Sequence, residues 1–273
     1  MNVKITLTTQ VIPKGNFVQW TLRDPSESGA YRFTLERAGG PAGPWDVVFG
    51  PSVEQYAVLD TLDQRAETLN YNRPNQLTIY DRMYYRVTCT TPGGVVLRDV
   101  TETAPATLNP RMAGPRRKLI RDFRLSLKFN GTPVVLLKRR TWGVRCERCT
   151  DKRTKQIVRS ECNACWGTGY EHGYWAPLLS YARRSVSATT VTNSPEQKSD
   201  ANDAQIWLPD FPQMERDDVI VALHDQRRFR VDRQVQTEIQ LAGVHQVLTC
   251  QELAHDHVIY RYAVHPETLN PLY

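Results

Sequence analysis

The sequence predicts a mainly β protein: an N-terminal sandwich, a short helix followed by a cysteine-rich segment, and a C-terminal small barrel or sandwich. Three observations predict it. Short apolar runs separated by Gly, Pro, Asn and Asp recur towards both ends, apolar residues at helical spacing occur between them, and four cysteines form two Cys-x-x-Cys pairs. A chain of 273 residues is long enough for two or three such domains.

Residues 1–104 contain apolar runs of strand length at regular intervals. Glycine and proline between 39 and 44 break the chain before Trp45, and the run at 31–37 alternates apolar and polar residues. This spacing is typical of an all-β sandwich. The predicted strands are 4–9, 17–22, 31–37, 45–49, 56–60, 76–79, 84–90 and 95–100.

The positions of the aromatic residues and predicted strands in this region follow a recognisable pattern. Trp20 lies in an early strand, 31–37 and 45–48 provide the next two, and 83–87 followed by Pro-Gly-Gly at 92–94 forms a closing hairpin. This pattern resembles a fibronectin type III or related immunoglobulin-like domain, with Met83 at the usual corner-tyrosine position. No cysteine is placed for an intersheet disulfide. Another kind of β-sandwich remains the alternative.

Residues 105–115 are rich in proline and are predicted to be a linker. Pro115 suits a first helical turn, and Leu119, Ile120, Phe123 and Leu127 recur at helical spacing until Asn130-Gly131 ends the pattern. These residues predict a helix from 116 to about 130, with apolar residues on one face and basic residues on the others. A short strand at 134–137 then leads into the first cysteine pair, so 116–177 is predicted to be one basic, cysteine-bearing unit.

Positive charge is concentrated in this middle segment. The chain carries a net charge of +6, but residues 111–160 contain 16 basic and three acidic residues, so the remainder has a net charge of −7. Such a segment faces phosphate, an acidic partner or the chain's own acidic regions, or it is simply a solvated face. The residues predicted to contact nucleic acid or an acidic partner are Arg116, Arg117, Lys118, Arg121, Arg124, Lys138, Arg139 and Arg140.

The four cysteines predict a metal site. Cys146 and Cys149 form the first pair, and Cys162 and Cys165 form the second after twelve intervening residues, enough for a short hairpin. Two such knuckles complete a tetrahedron of sulfur around Zn²⁺ and leave no position open for water, which predicts structural zinc without catalysis at the metal. Two disulfides and redox chemistry are the alternatives.

The surroundings of the cysteines add further expectations. Arg145, Arg148 and Lys152 are expected to offset the thiolate charge, and glycines at 167 and 169 are expected to adopt positive φ. Aromatic side chains are expected to shield the sulfurs; they are Trp166, Tyr170, Tyr174 and Trp175. Cys89 and Cys250 lie in strand-like runs and are predicted to be buried free thiols.

One succession of motifs resembles a known class of proteins. A helix, a strand ending in basic residues and two Cys-x-x-Cys knuckles are followed by Gly-Thr-Gly-Tyr at 167–170 and by Gly-Tyr-Trp-Ala-Pro at 173–177. This is similar to a segment of about 65 residues in virion proteins of the neck and tail region of tailed bacteriophages. The resemblance implies a structural virion protein, a homo-oligomeric ring among other virion proteins, packaged DNA nearby, and assembly in the host cytoplasm.

Residues 178–273 are predicted to be a C-terminal β domain with a polar arm at about 185–205. The runs at 217–221 and 228–231 resemble the barrel of phage head-completion or stopper proteins. The predicted strands are 205–208, 219–223, 229–235, 237–241, 247–253 and 258–264.

The sequence favours no enzyme class. It contains no phosphate-binding loop, dinucleotide-binding turn, metalloprotease helix or nucleophile elbow. No apolar run reaches the roughly 18 residues of a membrane helix, and the N-terminus lacks the pattern of a secretory signal. His255 and His257 are predicted to be surface residues, and His172 is expected to be no metal ligand.

Two functions therefore remain. The first is a structural component of a phage neck or tail, with contacts between subunits and without turnover. The alternative is a zinc-ribbon protein that binds nucleic acid through the basic segment at 111–160. Tight, steeply salt-dependent binding to DNA by the monomer would favour the alternative.

Overall fold

The structure is a computed structural model with a mainly β fold. Its chain divides into two compact units, the first formed by 1–106, 140–160 and 168–175, the second by 107–139, 161–167 and 176–273. No helix in the described ranges is long and apolar enough to cross a membrane. The residues described are 3–12, 15–23, 25, 27–53, 55–61, 83–102, 110–151, 153–154, 156–159, 161–186, 203–239 and 242–269.

The first unit contains two antiparallel sheets. One has three strands in the order β1-β2-β5, and the other has four in the order β4-β3-β6-β7. Their bounds are β1 (Lys4–Ile12), β2 (Gly15–Arg23), β3 (Arg32–Ala38), β4 (Asp46–Ser52), β5 (Ala57–Asp60), β6 (Tyr84–Thr90) and β7 (Val96–Glu102). These strands overlap seven of the predicted runs, and the eighth, at 76–79, lies outside the described residues.

Alternating burial along the strands builds the core of this unit. In β6 the side chains of Tyr85, Val87 and Cys89 are buried while their neighbours are partly exposed, which is the two-residue period of a strand with one face against a core. Trp20 of β2 is fully buried, and its ring lies 5.5 Å from that of Phe33 in β3. Side chains from both sheets therefore meet in one hydrophobic layer.

A buried polar network also joins the two sheets. The Tyr85 hydroxyl donates to the Asp60 carboxylate at 2.6 Å and accepts a hydrogen bond from the Asn16 amide at 2.9 Å. Arg37 donates to both carboxylate oxygens of Asp60, at 2.8 and 2.7 Å. Burial and the neighbouring Asp60 charge raise the pKa of Tyr85, so the hydroxyl stays protonated and remains a donor.

The second unit is a closed six-stranded barrel with one long helix. Its strand order is β10-β13-β12-β11-β8-β9, with antiparallel pairing throughout. Of the two forms expected, the barrel is the one observed. The bounds are α1 (Pro110–Asn130), β8 (Thr132–Leu137), β9 (Leu178–Val186), β10 (Asp203–Pro209), β11 (Val219–Ala222), β12 (Arg228–Ile239) and β13 (Ala242–Glu252).

Helix α1 packs against the barrel through the face that the sequence predicts. Ile120 and Leu127 are buried, and the Phe123 ring stacks on His245 of β13 with ring centroids 4.6 Å apart. The barrel interior is filled by apolar side chains from its strands, among them Leu136, Ile206, Phe229 and Leu248. An apolar stripe on one side of the helix thus fixes its orientation.

Three boundaries differ from the predictions. Helix α1 begins at Pro110, so 110–115 is helical and not linker, because Pro110 is itself compatible with a first turn. The run at 229–235 and the part of 237–241 up to Ile239 form one strand, β12, with a register shift between Thr237 and Glu238; 240–241 lie outside the described residues. The polar segment is shorter than predicted because β9 reaches Val186 and β10 begins at Asp203; 187–202 lies outside the described residues.

The predicted strand at 258–264 is wrong. Val258–Arg261 forms a 3-10 helix whose N-cap is His257, and the His257 Nδ1 accepts the Ile259 backbone N–H at 3.2 Å. Val258 and Ile259 are consecutive and both buried. A strand with one face in a core would bury only one of two neighbours, so packing favours the tight helical turn.

Candidate metal centre

The two cysteine pairs meet in space. One ligand atom from each of Cys146, Cys149, Cys162 and Cys165 lies within 4.8 Å of the others, and all four residues are buried. Around a tetrahedral Zn²⁺ with bonds of about 2.3 Å, sulfur atoms lie roughly 3.8 Å apart. A small contraction of the cluster would complete that shell, so the residues present fit a metal ion with four sulfur ligands.

The first pair is followed by a short hairpin, as its spacing predicts. The Thr150 N–H donates to the Cys146 carbonyl at 3.1 Å, and the Val158 N–H donates to the Cys149 carbonyl at 2.8 Å. An antiparallel bridge joins Thr150 and Ile157. This hairpin uses most of the intervening residues and returns the chain towards the second pair.

Asp151 closes the tip of the hairpin. Its carboxylate accepts the Arg153 N–H at 2.7 Å and the Thr154 N–H at 3.4 Å. These backbone hydrogen bonds lower the pKa of Asp151 because they stabilise the charged form. The turn is therefore held by an ionised side chain in neutral solution.

The second pair needs glycine, as predicted. The Trp166 N–H donates to the Cys162 carbonyl at 2.7 Å, and Gly167 and Gly169 both have φ of 82°. The Gly169 carbonyl accepts the Cys146 N–H at 2.9 Å. A Cβ at Gly169 would lie 2.7 Å from the Ile157 Cδ1. The positive φ disfavours a larger residue there, and the exposed Ile157 side chain would have to move to admit one.

Two tryptophans hold the ends of this segment in the first unit. The Trp142 ring lies 5.0 Å from Trp175 and 6.2 Å from Phe33, and the Trp175 ring lies 5.9 Å from Tyr56. The Arg140 guanidinium lies 4.3 Å over the Trp175 ring. The segment between the two tryptophans therefore starts and ends in the aromatic core of the sandwich.

The aromatic residues expected to shield the sulfurs have other described contacts. Tyr174 and Trp175 are buried, and Trp175 packs into the core described above. Trp166 is half-buried, with its ring 4.8 Å from Tyr262, and Tyr170 lies beneath the Arg145 guanidinium at 5.8 Å. Shielding of the sulfurs by these rings stays a prediction.

The charges expected to offset the thiolates are only partly described. Arg145 is half-buried, and its backbone N–H donates to the Ser28 hydroxyl at 3.0 Å. Arg148 is exposed beside Cys149, and Lys152 lies outside the described residues. Two cations, Arg145 and Arg148, therefore lie next to the first cysteine pair in the sequence, and their effect on the thiolate charge stays a prediction.

The other predicted sulfur and imidazole groups stand apart from this cluster. Cys89 and Cys250 are fully buried free thiols, as predicted, and burial raises the pKa of each to about 12. A thiol that stays protonated is a poor nucleophile. His172 is exposed with φ of 62° and is not in the cluster; His255 is exposed, and His257 caps a 3-10 helix.

The basic residues at the end of β8 make contacts within the protein, and their predicted contact with a partner stays a prediction. Lys138 is buried, and its Nζ donates to the Asp218 carboxylate at 3.1 Å and to the Gln213 carbonyl at 3.0 Å. Arg139 pairs with Asp217 at 2.7 Å. These two residues hold the chain that precedes β11 against the end of β8.

Arg124 and Arg140 are also buried within the protein. Arg124 is buried on the barrel side of α1, at 7% exposure. Arg140 is equally buried, and its Nε donates to the Tyr174 carbonyl at 3.2 Å. Of the predicted contact residues, Lys118 and Arg121 are exposed, and the side chains of Arg116 and Arg117 lie outside the described part.

Sequence reasoning missed Asp218 as the partner of this basic strand end. Its carboxylate accepts the Arg139 and Glu215 backbone N–H groups, each at 2.7 Å, as well as Lys138. Burial raises its pKa, while Lys138 and the backbone donors oppose that effect. A signal existed, because two adjacent aspartates precede a fully apolar strand, where a buried carboxylate needs a cation.

Comparisons with known proteins identify no family. No family model matches the chain, and no curated protein matches it. Among solved structures, pectate lyase Pel3 from Pectobacterium carotovorum is 16% identical with a TM-score of 0.29, covering 39% of this chain and 28% of the other. Pectate lyase PelI from Erwinia chrysanthemi is 16% identical with a TM-score of 0.27, covering 38% and 28%. The chain spans less than a third of those structures, and scores this low establish neither a common fold nor a common activity.

Proposed function

We propose that this chain is a structural component of a tailed-bacteriophage virion, in the neck or tail, that forms contacts between subunits. The buried cluster of four cysteines carries the proposal. Four sulfur ligands around one Zn²⁺ leave no site for water or substrate, so the metal would stabilise a fold and not a transition state. The role that follows is assembly, and the chain is proposed not to be an enzyme.

The arrangement of the strands supports the first part of the proposal. Three strands pack against four in the orders β1-β2-β5 and β4-β3-β6-β7, which suits a fibronectin type III-like domain. The hairpin between Thr150 and Ile157, together with the glycine turns after Cys165, suits a small zinc ribbon.

The expected partners follow from the same proposal. The chain would occupy a homo-oligomeric ring, contact other virion proteins, lie near packaged DNA, and be assembled in the host cytoplasm. The closed barrel of the second unit is compatible with the resemblance of 217–221 and 228–231 to the barrel of phage head-completion or stopper proteins.

The alternative is a zinc-ribbon protein that binds nucleic acid through 111–160. Its support is weaker because Arg124, Lys138 and Arg140 are buried and Arg139 is paired with an aspartate. Exposed cations do remain on α1 and beside the cysteines, at Lys118, Arg121, Lys128, Arg148, Arg153 and Arg159. A phosphate-binding role would rest on these residues.

One experiment tests the proposal and its alternative together. Purified particles of the phage that encodes the chain are analysed by quantitative mass spectrometry and by elemental zinc analysis. We expect a fixed copy number per particle and one zinc ion per copy. Absence of the chain from intact particles, combined with nanomolar and steeply salt-dependent binding of the purified chain to duplex DNA, would replace the proposal with the alternative.

A further inference from the structure

We propose that the outer face of α1 binds an acidic protein surface that offers a pocket for apolar side chains. This face is formed by Lys118, Arg121, Leu125, Lys128 and Phe129. The inference names a surface for the contacts proposed above and rests on that function only for the identity of the partner.

The face is turned away from the barrel by the packing of the helix. Ile120, Phe123 and Leu127 lie on the barrel side, and at about 100° per residue Leu125 and Phe129 project from the opposite side. Because one stripe is fixed by burial, the other is presented in a constant orientation. A preorganised face loses little conformational freedom on binding.

Two apolar side chains on this face are adjacent and unprotected. Phe129 is 78% exposed and Leu125 is 44% exposed, and they are separated by four residues, so they lie one turn apart on the same side. Isolated exposed apolar residues are ordinary, but a neighbouring aromatic and aliphatic pair is the pattern of an anchor that fills a partner's pocket.

Cations flank this apolar pair. Lys118 lies about two turns before Leu125 on the same side, and Arg121 and Lys128 lie along one edge of the face. In the described part of the chain, Lys118 and Lys128 form no ion pair, and Arg121 has only the exposed Asp122 at 3.5 Å. A partner that matches this edge carries carboxylates beside its pocket.

The acidic surface has to come from another molecule. The two longest segments outside the described residues carry little net negative charge, since 62–82 has three acidic and three basic residues and 187–202 has two acidic and one basic. The segment 103–109, which precedes the helix, has no charged residue. None of these segments supplies the complementary charge.

The composition of the face also favours protein over nucleic acid. Phosphate is attracted by cations and gains nothing from a leucine, while Asp122, 47% exposed in its side chain, lies beside the apolar pair and repels phosphate. An apolar centre with a charged edge is the composition of a protein interface.

The test uses a fluorescein-labelled peptide of repeating Glu-Glu-Leu-Leu and the full chain, with anisotropy measured at about 50 and 300 mM NaCl. We expect saturable binding that weakens with salt. The double variant Leu125→Ser/Phe129→Ser should weaken peptide binding at least about tenfold. The triple variant Lys118→Glu/Arg121→Glu/Lys128→Glu should weaken it by a similar factor. Matched controls change comparably exposed groups elsewhere: Val47→Ser with Val96→Ser, and Arg32→Glu with Arg153→Glu and Arg159→Glu.

Each other result overturns the proposal. Unchanged peptide binding by the Leu125/Phe129 variant would show that the apolar pair is not an anchor. Equal or tighter binding to a 20-base-pair duplex that depends only on the cations would assign the face to nucleic acid. Self-association in sedimentation that the Leu125/Phe129 variant abolishes would make a second copy the occupant. Circular dichroism confirms folding, and Leu125→Ala with Phe129→Ala is the milder variant. Failure here leaves particle incorporation, the test of the proposed function, unaffected.

Discussion

The rings of Trp142 and Trp175 lie 5.0 Å apart in the core of the first unit, although 33 positions separate them in the sequence. Trp142 precedes the first cysteine pair and Trp175 follows the second. The contact therefore closes a loop that contains all four candidate ligands, and the loop is anchored by buried aromatic surface at its base.

Replacing Trp175 should test this anchor. Trp175→Ala removes a side chain of 1% exposure and should lower the free energy of unfolding by about 3–5 kcal/mol. Urea denaturation measures the loss. Trp45→Ala is the control, because Trp45 is only half-buried and should cost less than half as much. Equal losses at the two positions would contradict the anchoring role.

Removal of one ligand should remove the metal. Cys149→Ser leaves three sulfur ligands, and we expect the bound zinc, one per chain in the parent protein, to fall at least about tenfold in elemental analysis after dialysis against a weak chelator. Cys250→Ser is the control, because this buried thiol lies outside the cluster. Retention of one zinc per chain by Cys149→Ser would rule out a site with four cysteine ligands.

The glycine turn after the second pair should be intolerant of any side chain. Gly169→Ala combines a φ of 82° with a Cβ placed 2.7 Å from Ile157, and should cost about 1–3 kcal/mol of stability. Gly40→Ala is the matched control, since a Cβ there meets nothing within 4 Å. Thermal unfolding of the two variants distinguishes them, and a Gly169→Ala protein as stable as the control would show that the turn can relax.

The cysteine cluster and most strands were predictable because both depend on local spacing. The run at 84–90 alternates apolar and polar residues at the period of a strand, and the structure has β6 at Tyr84–Thr90. Two pairs of cysteines need only a short hairpin between them to meet. By contrast, 258–264 is apolar except for Arg261, and only the tertiary burial of both Val258 and Ile259 favours a 3-10 helix over a strand.

Which of the basic residues are buried or form ion pairs was not predictable from the local sequence. Lys138 and Arg139 follow a buried strand and are joined to Asp218 and Asp217, about 80 residues further along the chain. A count of charges cannot show which cation has a distant carboxylate. Helical periodicity alone also leaves open whether Arg124 is at the edge of the buried stripe or inside it, and the barrel buries it.

Stability should depend on pH through His245. Burial lowers the pKa of His245, which stacks on Phe123, below its ordinary value of about 6.5. The unfolded chain then binds protons more readily, so stability is complete above about pH 6.5 and declines as the pH falls below it. His245→Phe keeps an aromatic ring and should flatten the decline of melting temperature between about pH 6.5 and 5. His257, whose pKa burial also lowers, supplies a remaining slope. An unchanged profile in His245→Phe would show that the stack carries no pH dependence.

The pair between Lys138 and Asp218 should be strongly coupled, because both side chains are nearly inaccessible, at 7% and 2% exposure. Asp218→Asn leaves the buried ammonium with the half-exposed Glu215 as its remaining described carboxylate neighbour, beside the Gln213 carbonyl, and should cost about 3–5 kcal/mol. Adding Lys138→Met removes that uncompensated charge, so the double variant should lose less than the sum of the single losses. The exposed pair of Arg216 and Asp232, 3.9 Å apart, is the control, and Arg216→Ala should change stability by less than about 0.5 kcal/mol. Additive losses in the urea unfolding of Lys138→Met, Asp218→Asn and the double variant would mean that the two charges act independently, and that the end of β8 is held by the backbone donors to Asp218 alone.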